Sequence, residues 1–416
     1  MKHYDQIIIG GGAAGLYYAA LCPVKNGLLL EKTSSPGRKL LLSGSGQCNL
    51  THGGSIKEYI SHYGDHGKKI RTALYRANNL QLMEFWESHG IPLVEREDGK
   101  VFPRSLRAYE IQETLLHLAK DNGWHIRCDS PVTELSAVPL SSSCAAASEN
   151  SAQNNDKPRL FRYEINHAYT TNRLIIATGG CSFPDTGSDG SIFPLLKQLG
   201  LHVTELKPSL SPITVQEYPY ADLSGISFPQ ASVSLHGHKR SDGLLLTHTG
   251  FSGPAILNLS RYGNPGDTLT ICYAASERAA DPQCCFDAAR SNNSRSTLHW
   301  LTETYDLPKR FAEILLQRIG TEPTKKAASL SGKQLNKIHS MVTNDTFSIS
   351  GTGSFRTAMA TNGGVALSQI DPKTFAVKGF PGLSVIGEAL DVDGDTGGYN
   401  LQFAFSSAFC AAQAQE

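Results

Sequence analysis

Four glycines within six residues, Gly10, Gly11, Gly12 and Gly15, follow the run Ile7-Ile8-Ile9 and open a stretch of small and apolar residues from Ala13 to Leu21. A short β-branched run ending in glycine reads as a buried strand. The following AAGLYYAAL reads as a short helix, stopped before Pro23. Between them Gly10, Gly12 and Gly15 spell G-x-G-x-x-G. The first glycine allows a tight turn, the second lets the backbone approach a pyrophosphate, and the third lets helix and strand pack closely. N–H groups at such a helix start face phosphate, and the helix dipole adds about 0.3–1 kcal/mol per anionic group. Glu31 closes the second strand, GLLLEK, about twenty residues on, where its carboxylate can accept hydrogen bonds from a ribose diol. A charge-assisted bond of that kind contributes about 1.5–3 kcal/mol. An acid there repels a 2′-phosphate, which favours FAD or NAD over NADP. For the glycines alone, a tight structural turn is the alternative.

Further along, Ile111, Leu115, Leu118 and Ala119 mark an amphipathic helix, followed by strand-like WHIRC and SPVTEL. Residues 138–157 are rich in Ser, Ala and Asn without periodicity and read as a surface excursion between two strands of a meander. From about Glu205 the texture changes to short strands joined by turn residues, SPITVQEY, QASVSLHGH and GLLLTHTG. Helical spacing follows, with Leu298, Leu301, Phe311, Leu315 and Ile319 as the expected buried face. TNGGVAL and GLSVIGE restore strands, and YNLQFAFSSAFCAAQ is a closing helix. The expected organisation is an α/β, Rossmann-like dinucleotide-binding domain over 1–204 and 346–416, interrupted by an insert over 205–345. That insert is expected to be β-barrel-like over about 205–280 and helical over about 285–342.

Two more glycine clusters bear on which dinucleotide is held. PGRKLLLSGSGQCNLTH, from Pro36 to His52, offers a basic pair and a polar glycine-rich loop directly after the second strand. It suits a second phosphate and a path towards a flavin ring; an ordinary polar loop is the alternative. GLSVIGEALDVDGDTGGYNLQFAFSSAF, from Gly382 to Phe409, ends a strand in Gly387-Glu388 and places glycines before a helix. A carboxylate there can hold a polyol hydroxyl, and the helix start can stabilise negative charge on a reduced ring. DVDGD as a calcium loop is disfavoured, since the spacing and bidentate Glu of an EF-hand are absent.

On IIIGGGAAG, GRKLLLSGSGQCNLTH, GKVFPRS, LIIATGGCSFPDTGSDG, THTGFSGPAIL, TNGGV and GEALDVDGDTGGYNLQFAFSS, the chain resembles the bacterial NAD(P)/FAD-dependent oxidoreductases of the BaiN-like, YhiN-like or aminoacetone-oxidase family. The resemblance covers nearly the whole chain. It implies a two-dinucleotide FAD fold interrupted by a β-barrel-like subdomain with a helical insert. It implies further that Gly10, Gly12, Ala14, Gly15, Glu31 and Lys32 serve the AMP half. Lys39, Cys48 and Asn49 would lie along the pyrophosphate and flavin, Val132 would meet the adenine, and Thr178, Gly179 and Gly180 would line the cofactor edge. Gly387, Glu388, Gly398, Asn400 and Leu401 would hold the ribityl chain and ring. Gln47 and His52 depart from the arginine and asparagine usual in the family, which puts its substrate-side electrostatics in doubt here.

The expected activity is FAD-dependent oxidoreduction of a small organic substrate, the flavin being reduced by transiently bound NAD(P)H. Cys48, in the presumed flavin loop, is either redox-active or a small buried hydrophobe. His248, in LLLTHTGFSGP, is either a general acid–base facing the ring or a histidine satisfied within its turn. No metal site is expected. The 38 basic and 38 acidic residues cancel, and no basic block stands out, so no nucleic-acid partner is expected. The alternatives are a flavin-dependent RNA-modifying protein, or a flavin-bound scaffold or sensor without turnover. Nine cysteines without a metal-like C-x-x-C, no signal-like N-terminus and no run of about twenty apolar residues suit a cytoplasmic protein away from the membrane.

Overall fold

Five short strands, Gln6–Ile9, Gly27–Leu30, Trp124–Arg127, Leu174–Ile176 and Leu383–Val385, pair in parallel into one sheet. The computed structural model describes residues 1–140, 160–274, 281–291 and 294–414. Numbered along the chain, the strands lie in the order 3-2-1-4-5. This is the doubly wound arrangement, and it has its switch point between Gln6–Ile9 and Leu174–Ile176. Ile7, Ile8, Leu29, Leu174 and Val385 are buried, as a sheet covered on both faces requires. The first helix, Ala13–Leu21, packs between the helix Ala108–Asp121 and the closing helix Tyr399–Gln413. That position explains why AAGLYYAAL carries no polar stripe.

The chain divides into one unit of Met1–Lys207 with Ala360–Glu416 and a second of Pro208–Met359. In the first unit, a smaller sheet pairs Leu135–Pro139 antiparallel to Phe161–Ile165, so these strands flank the expected excursion. From residue 141 to 157 that excursion lies outside the described residues. Ile111, Leu115 and Ala119 are buried on their helix, and Leu118 is partly so.

The second unit contains a closed barrel of Ile213–Val215, Gly250–Ser252, His238–Leu246, Ser227–Leu235, Thr268–Cys272 and Asp345–Thr352. The helices Pro282–Arg290, Thr297–Tyr305, Lys309–Ile319 and Gly332–Thr343 accompany it. Strand Asp345–Thr352, which the sequence reading gives almost wholly to the outer domain, closes the barrel and carries the unit on to Met359. Leu301, Phe311, Leu315 and Ile319 are buried against Phe228, Tyr273 and Phe347 in one core, with Leu298 packed at its margin. Arg318 binds both oxygens of buried Asp345, at 2.9 and 3.2 Å, and Tyr220 and Tyr273 donate to the same carboxylate. Helix and barrel are thereby joined through a charge pair whose hydrogen bonds are satisfied.

Candidate cofactor site

The three motif glycines divide their labour physically. Gly10 sits at φ +104°, and a Cβ there would lie 2.5 Å from the Ala177 carbonyl oxygen. It therefore joins the ends of the two strands that flank the switch point. A Cβ on Gly15 would fall 2.1 Å from the Gly10 oxygen, so this glycine is required by helix–strand packing. Gly12 differs. Its φ of −78° and ψ of −169° suit any residue, and a Cβ there would meet nothing closer than the Ala177 oxygen at 3.9 Å. Neither backbone strain nor internal packing demands a glycine at 12, and what remains is room for a ligand against the helix start. The helix carries no side-chain cap there.

Glu31, 7% exposed, accepts from the Gly11 N–H at 2.9 Å and from Thr33 N–H and Oγ1 at 2.8 Å each. It is held at the end of its strand beside the glycine turn. The Ser130 N–H donates to the Glu31 carbonyl, bringing the loop of half-buried Val132 alongside. Among the described residues the main chain of Val132 takes no partner. Lys32 turns away. Its ammonium pairs with Asp189 and donates to Ser191 Oγ at 3.1 Å, pinning the loop that follows Leu174–Ile176.

The middle of the site is a polar junction gathered from four distant segments. Lys39 Nζ donates to Glu388 Oε2 and to Ser182 Oγ, both at 2.7 Å. Glu388 Oε1 accepts from Ser182 Oγ and from the Thr361 N–H, both at 2.9 Å. Thr361 Oγ1 in turn accepts from the N–H groups of Cys181 and Ser182 at 2.7 and 3.1 Å. A Cβ on Gly179 would be 3.7 Å from Glu388 Oε2, and one on Gly180 would collide with Thr361 Oγ1 at 2.4 Å. Gly387 lies against Ala14, with 2.9 Å between its would-be Cβ and the alanine methyl, so this junction adjoins the glycine turn. Thr178 lies half-buried at the same strand end. Ser188 Oγ is buried without a partner among the described residues, beside Gly179. Such an orphan is a place for a ligand's hydrogen bond.

The far end is the start of the closing helix. Gly398, at φ +99°, precedes it without a side-chain cap, and a Cβ there would lie 2.5 Å from the Thr51 oxygen. With its amide oriented to satisfy both ends, Asn49 donates to Thr51 and Val101 oxygens and accepts from the Gly398 N–H at 3.0 Å. Asn400 clasps Gly394, accepting from its N–H at 2.8 Å and donating to its carbonyl at 2.9 Å. Leu401 is half-buried. The Tyr399 ring stacks with His62 and with His52, at centroid distances of 4.0 and 5.3 Å. His62 Nδ1 lies 3.1 Å from Oδ2 of buried Asp395.

Two catalytic candidates change standing. Cys48 is fully buried at φ +60°, and burial pushes its thiol up to about 12, so it is a neutral small hydrophobe in this structure. His248 is exposed in the turn before Gly250–Ser252, in the second unit, and no hydrogen bond of its ring is present among the described residues. Of the DVDGD acids, Asp393 accepts from Asn362 Nδ2 at 2.9 Å and Asp395 faces His62, so both carboxylates serve internal contacts. Ser182, Ser188, Thr361, His62 and Tyr399 escaped the sequence reading as site residues. Ser182, Ser188, Thr361 and Tyr399 were signalled only by membership in the quoted CSFPDTGSDG, TNGGV and GGYN stretches, and His62 lies in none of the quoted stretches.

The family model described as the HI0933-like protein Rossmann domain matches residues 4–414. The chain is 30% identical over 419 residues to the ribosomal RNA dihydrouridine synthase of Escherichia coli, spanning 99% of this chain and 98% of that protein. It is equally 30% identical, over 416 residues, to the protein of the same description from Haemophilus influenzae. The 3-dehydro-bile acid delta(4,6)-reductase of Clostridium scindens is 25% identical, with 98% of both chains covered.

Proposed function

The chain belongs to the HI0933-like Rossmann family of FAD-binding oxidoreductases, and from that premise we propose that it reduces a carbon–carbon double bond conjugated to a carbonyl, in a uridine of ribosomal RNA. The observation that carries the cofactor reading is the open space over Gly12, a glycine that neither packing nor backbone conformation requires. The substrate class comes from the relatives. Dihydrouridine is uridine with its ring double bond saturated, and a 3-dehydro delta(4,6) steroid carries a conjugated dienone. Both are conjugated systems open to one hydride and one proton.

In this reading Gly12 and the uncapped first helix hold the pyrophosphate, and Glu31 takes the adenosine ribose. Lys39, Ser182 and Glu388 form the polar wall along the ribityl chain, with Ser188 Oγ free to bond it. The uncapped start of the closing helix favours negative charge at the ring. When bound, FAD supplies hydride chemistry, refilled by NADH or NADPH. His62, fixed at Nδ1 by Asp395 and stacked on Tyr399, is assigned to deliver the proton from Nε2.

The test uses purified protein reconstituted with FAD. NADPH or NADH should bleach the flavin under anaerobic conditions, and deproteinised ribosomal RNA should then restore the yellow spectrum and gain dihydrouridine by nucleoside mass spectrometry. A protein that takes up no flavin refutes the cofactor assignment, and flavin that neither donor bleaches leaves a scaffold or sensor. A second reading, a small conjugated ketone as substrate, is favoured by the Clostridium scindens relative. It wins if such a ketone reoxidises the flavin and RNA does not.

A further inference from the structure

Whole-chain neutrality conceals a local segregation of charge. The helix Gly67–Arg76, GKKIRTALYR, carries Lys68, Lys69, Arg71 and Arg76 and no acid. Its apolar face, Ile70, Ala73 and Leu74, is buried, and the helix packs against the closing helix. All four cations lie on the exposed face together with Tyr75, which is 38% exposed. The Arg71 guanidinium sits over the Tyr75 ring at 5.3 Å, and Arg76 donates to the Lys373 carbonyl, setting an exposed fifth cation beside the row.

Two physical features separate this face from an ordinary solvated helix surface. Four cations without an acid crowd this one ten-residue helix, and Lys68, Lys69, Arg71 and Arg76 form no ion pair among the described residues. Lys68 and Lys69 also occupy the first turn, where the helix dipole opposes positive charge, and Lys68 faces Arg71 three residues on. The placing of Lys68 and Lys69 disfavours the helix, so helix stability does not account for that pair, whereas Arg76 in the last turn suits the dipole. Asp65, exposed just before the helix, is the nearest acid in sequence.

The helix follows directly from Ile60–His66, the segment that carries His62. We infer that the exposed face of Gly67–Arg76 binds the phosphate backbone of the RNA whose base reaches the site at His62 and Tyr399. This rests on the RNA reading proposed above and names the surface that would carry it. Unneutralised cations release counterions from the RNA on binding, and Tyr75 offers a platform for a base. Each cation engaged adds about 0.7 to 0.9 to the slope of log affinity against log salt.

The experiment compares the wild-type protein with the triple variant Lys68→Ala, Lys69→Ala, Arg71→Ala and with a charge-matched control, Lys25→Ala, Lys120→Ala, Lys197→Ala. The control residues are exposed on other elements of the same unit. Binding to labelled deproteinised ribosomal RNA is followed by fluorescence anisotropy across a salt series, with FAD uptake checking that each variant is folded. The helix variant should lose about 2 to 3 from the slope and about a hundredfold in affinity near 0.1 M salt, while the control follows the wild type. If the wild type binds RNA and both variants weaken alike, the surface is misassigned and the RNA reading survives. If the wild type shows no salt-dependent RNA binding, the RNA reading itself falls. Loss of binding to phosphatidylglycerol vesicles without any effect on RNA would overturn the inference in favour of a membrane surface.

Discussion

Exchanging Gly12 and Gly15 for alanine, one at a time, separates a glycine kept for a ligand from one kept for packing. At Gly12 the backbone already suits alanine, and the new methyl meets no protein atom closer than 3.9 Å. Stiffening the unfolded chain stabilises by about 0.4–1 kcal/mol, and alanine as a poorer N-cap costs a similar amount. Global stability should therefore change by less than about 1 kcal/mol. The methyl would stand where a pyrophosphate oxygen meets the helix start, so at least one charge-assisted hydrogen bond is lost. At about 1.5–3 kcal/mol, that weakens FAD binding by about tenfold to a hundredfold. At Gly15 the order reverses. A methyl 2.1 Å from the Gly10 oxygen forces helix and strand apart, at or beyond the about 1–3 kcal/mol typical of overpacking. The assays are urea denaturation of the flavin-free protein and calorimetric titration with FAD. A Gly12→Ala protein that binds FAD with the wild-type Kd would refute the reasoning, because the open space would then belong to no ligand.

Three further outcomes are expected. In a double-mutant cycle on flavin-free protein, Lys39→Met and Glu388→Gln should couple by about 1–3 kcal/mol in urea unfolding, since the pair bonds at 2.7 Å with each side chain only about a quarter exposed or less; additive effects would dismiss the junction as decoration. His62→Asn should retain FAD binding and anaerobic bleaching but reoxidise slowly with substrate and lose any pH dependence due to the imidazole; unchanged turnover would remove His62 from the proton step. Cys48, its thiol held up at about 12, should resist iodoacetamide at pH 8 in the native protein and react once unfolded. The folded thiol holds its proton more tightly than the unfolded one. Its contribution to stability is therefore fully present below about pH 9 and is lost as pH rises towards 12, so native labelling of Cys48 at pH 8 would contradict the burial argument.

What the sequence disclosed follows from how far each interaction reaches along the chain. The glycine turn was legible because strand, turn and helix are consecutive, and Gly15 answers to the Gly10 oxygen only five residues away, although Gly10 itself also meets the distant Ala177. The doubly wound sheet followed from the same local signals, since β-branched runs such as Ile7-Ile8-Ile9 and Leu174-Ile175-Ile176 are buried on both faces. The polar junction was only half legible. Lys39 and Glu388 stood out as charges beside glycines, but their pairing spans 349 residues, and Ser182 and Thr361 show nothing locally that sets them apart from turn residues. Lys32 was assigned to the AMP half by the family resemblance alone; its ammonium pairs with Asp189, a partner 157 residues away that no local signal announces. Barrel closure by Asp345–Thr352 was missed for a related reason: a strand that returns after a run of helices looks, in sequence, like the resumption of the outer domain. The most instructive miss is the basic helix. A count over the whole chain sums 38 charges of each sign to zero, whereas a polyanion meets only the face presented to it. In GKKIRTALYR the helical period sends Ile70, Ala73 and Leu74 inward and leaves every cation outward, so neutrality of the chain and a cationic surface coexist without contradiction.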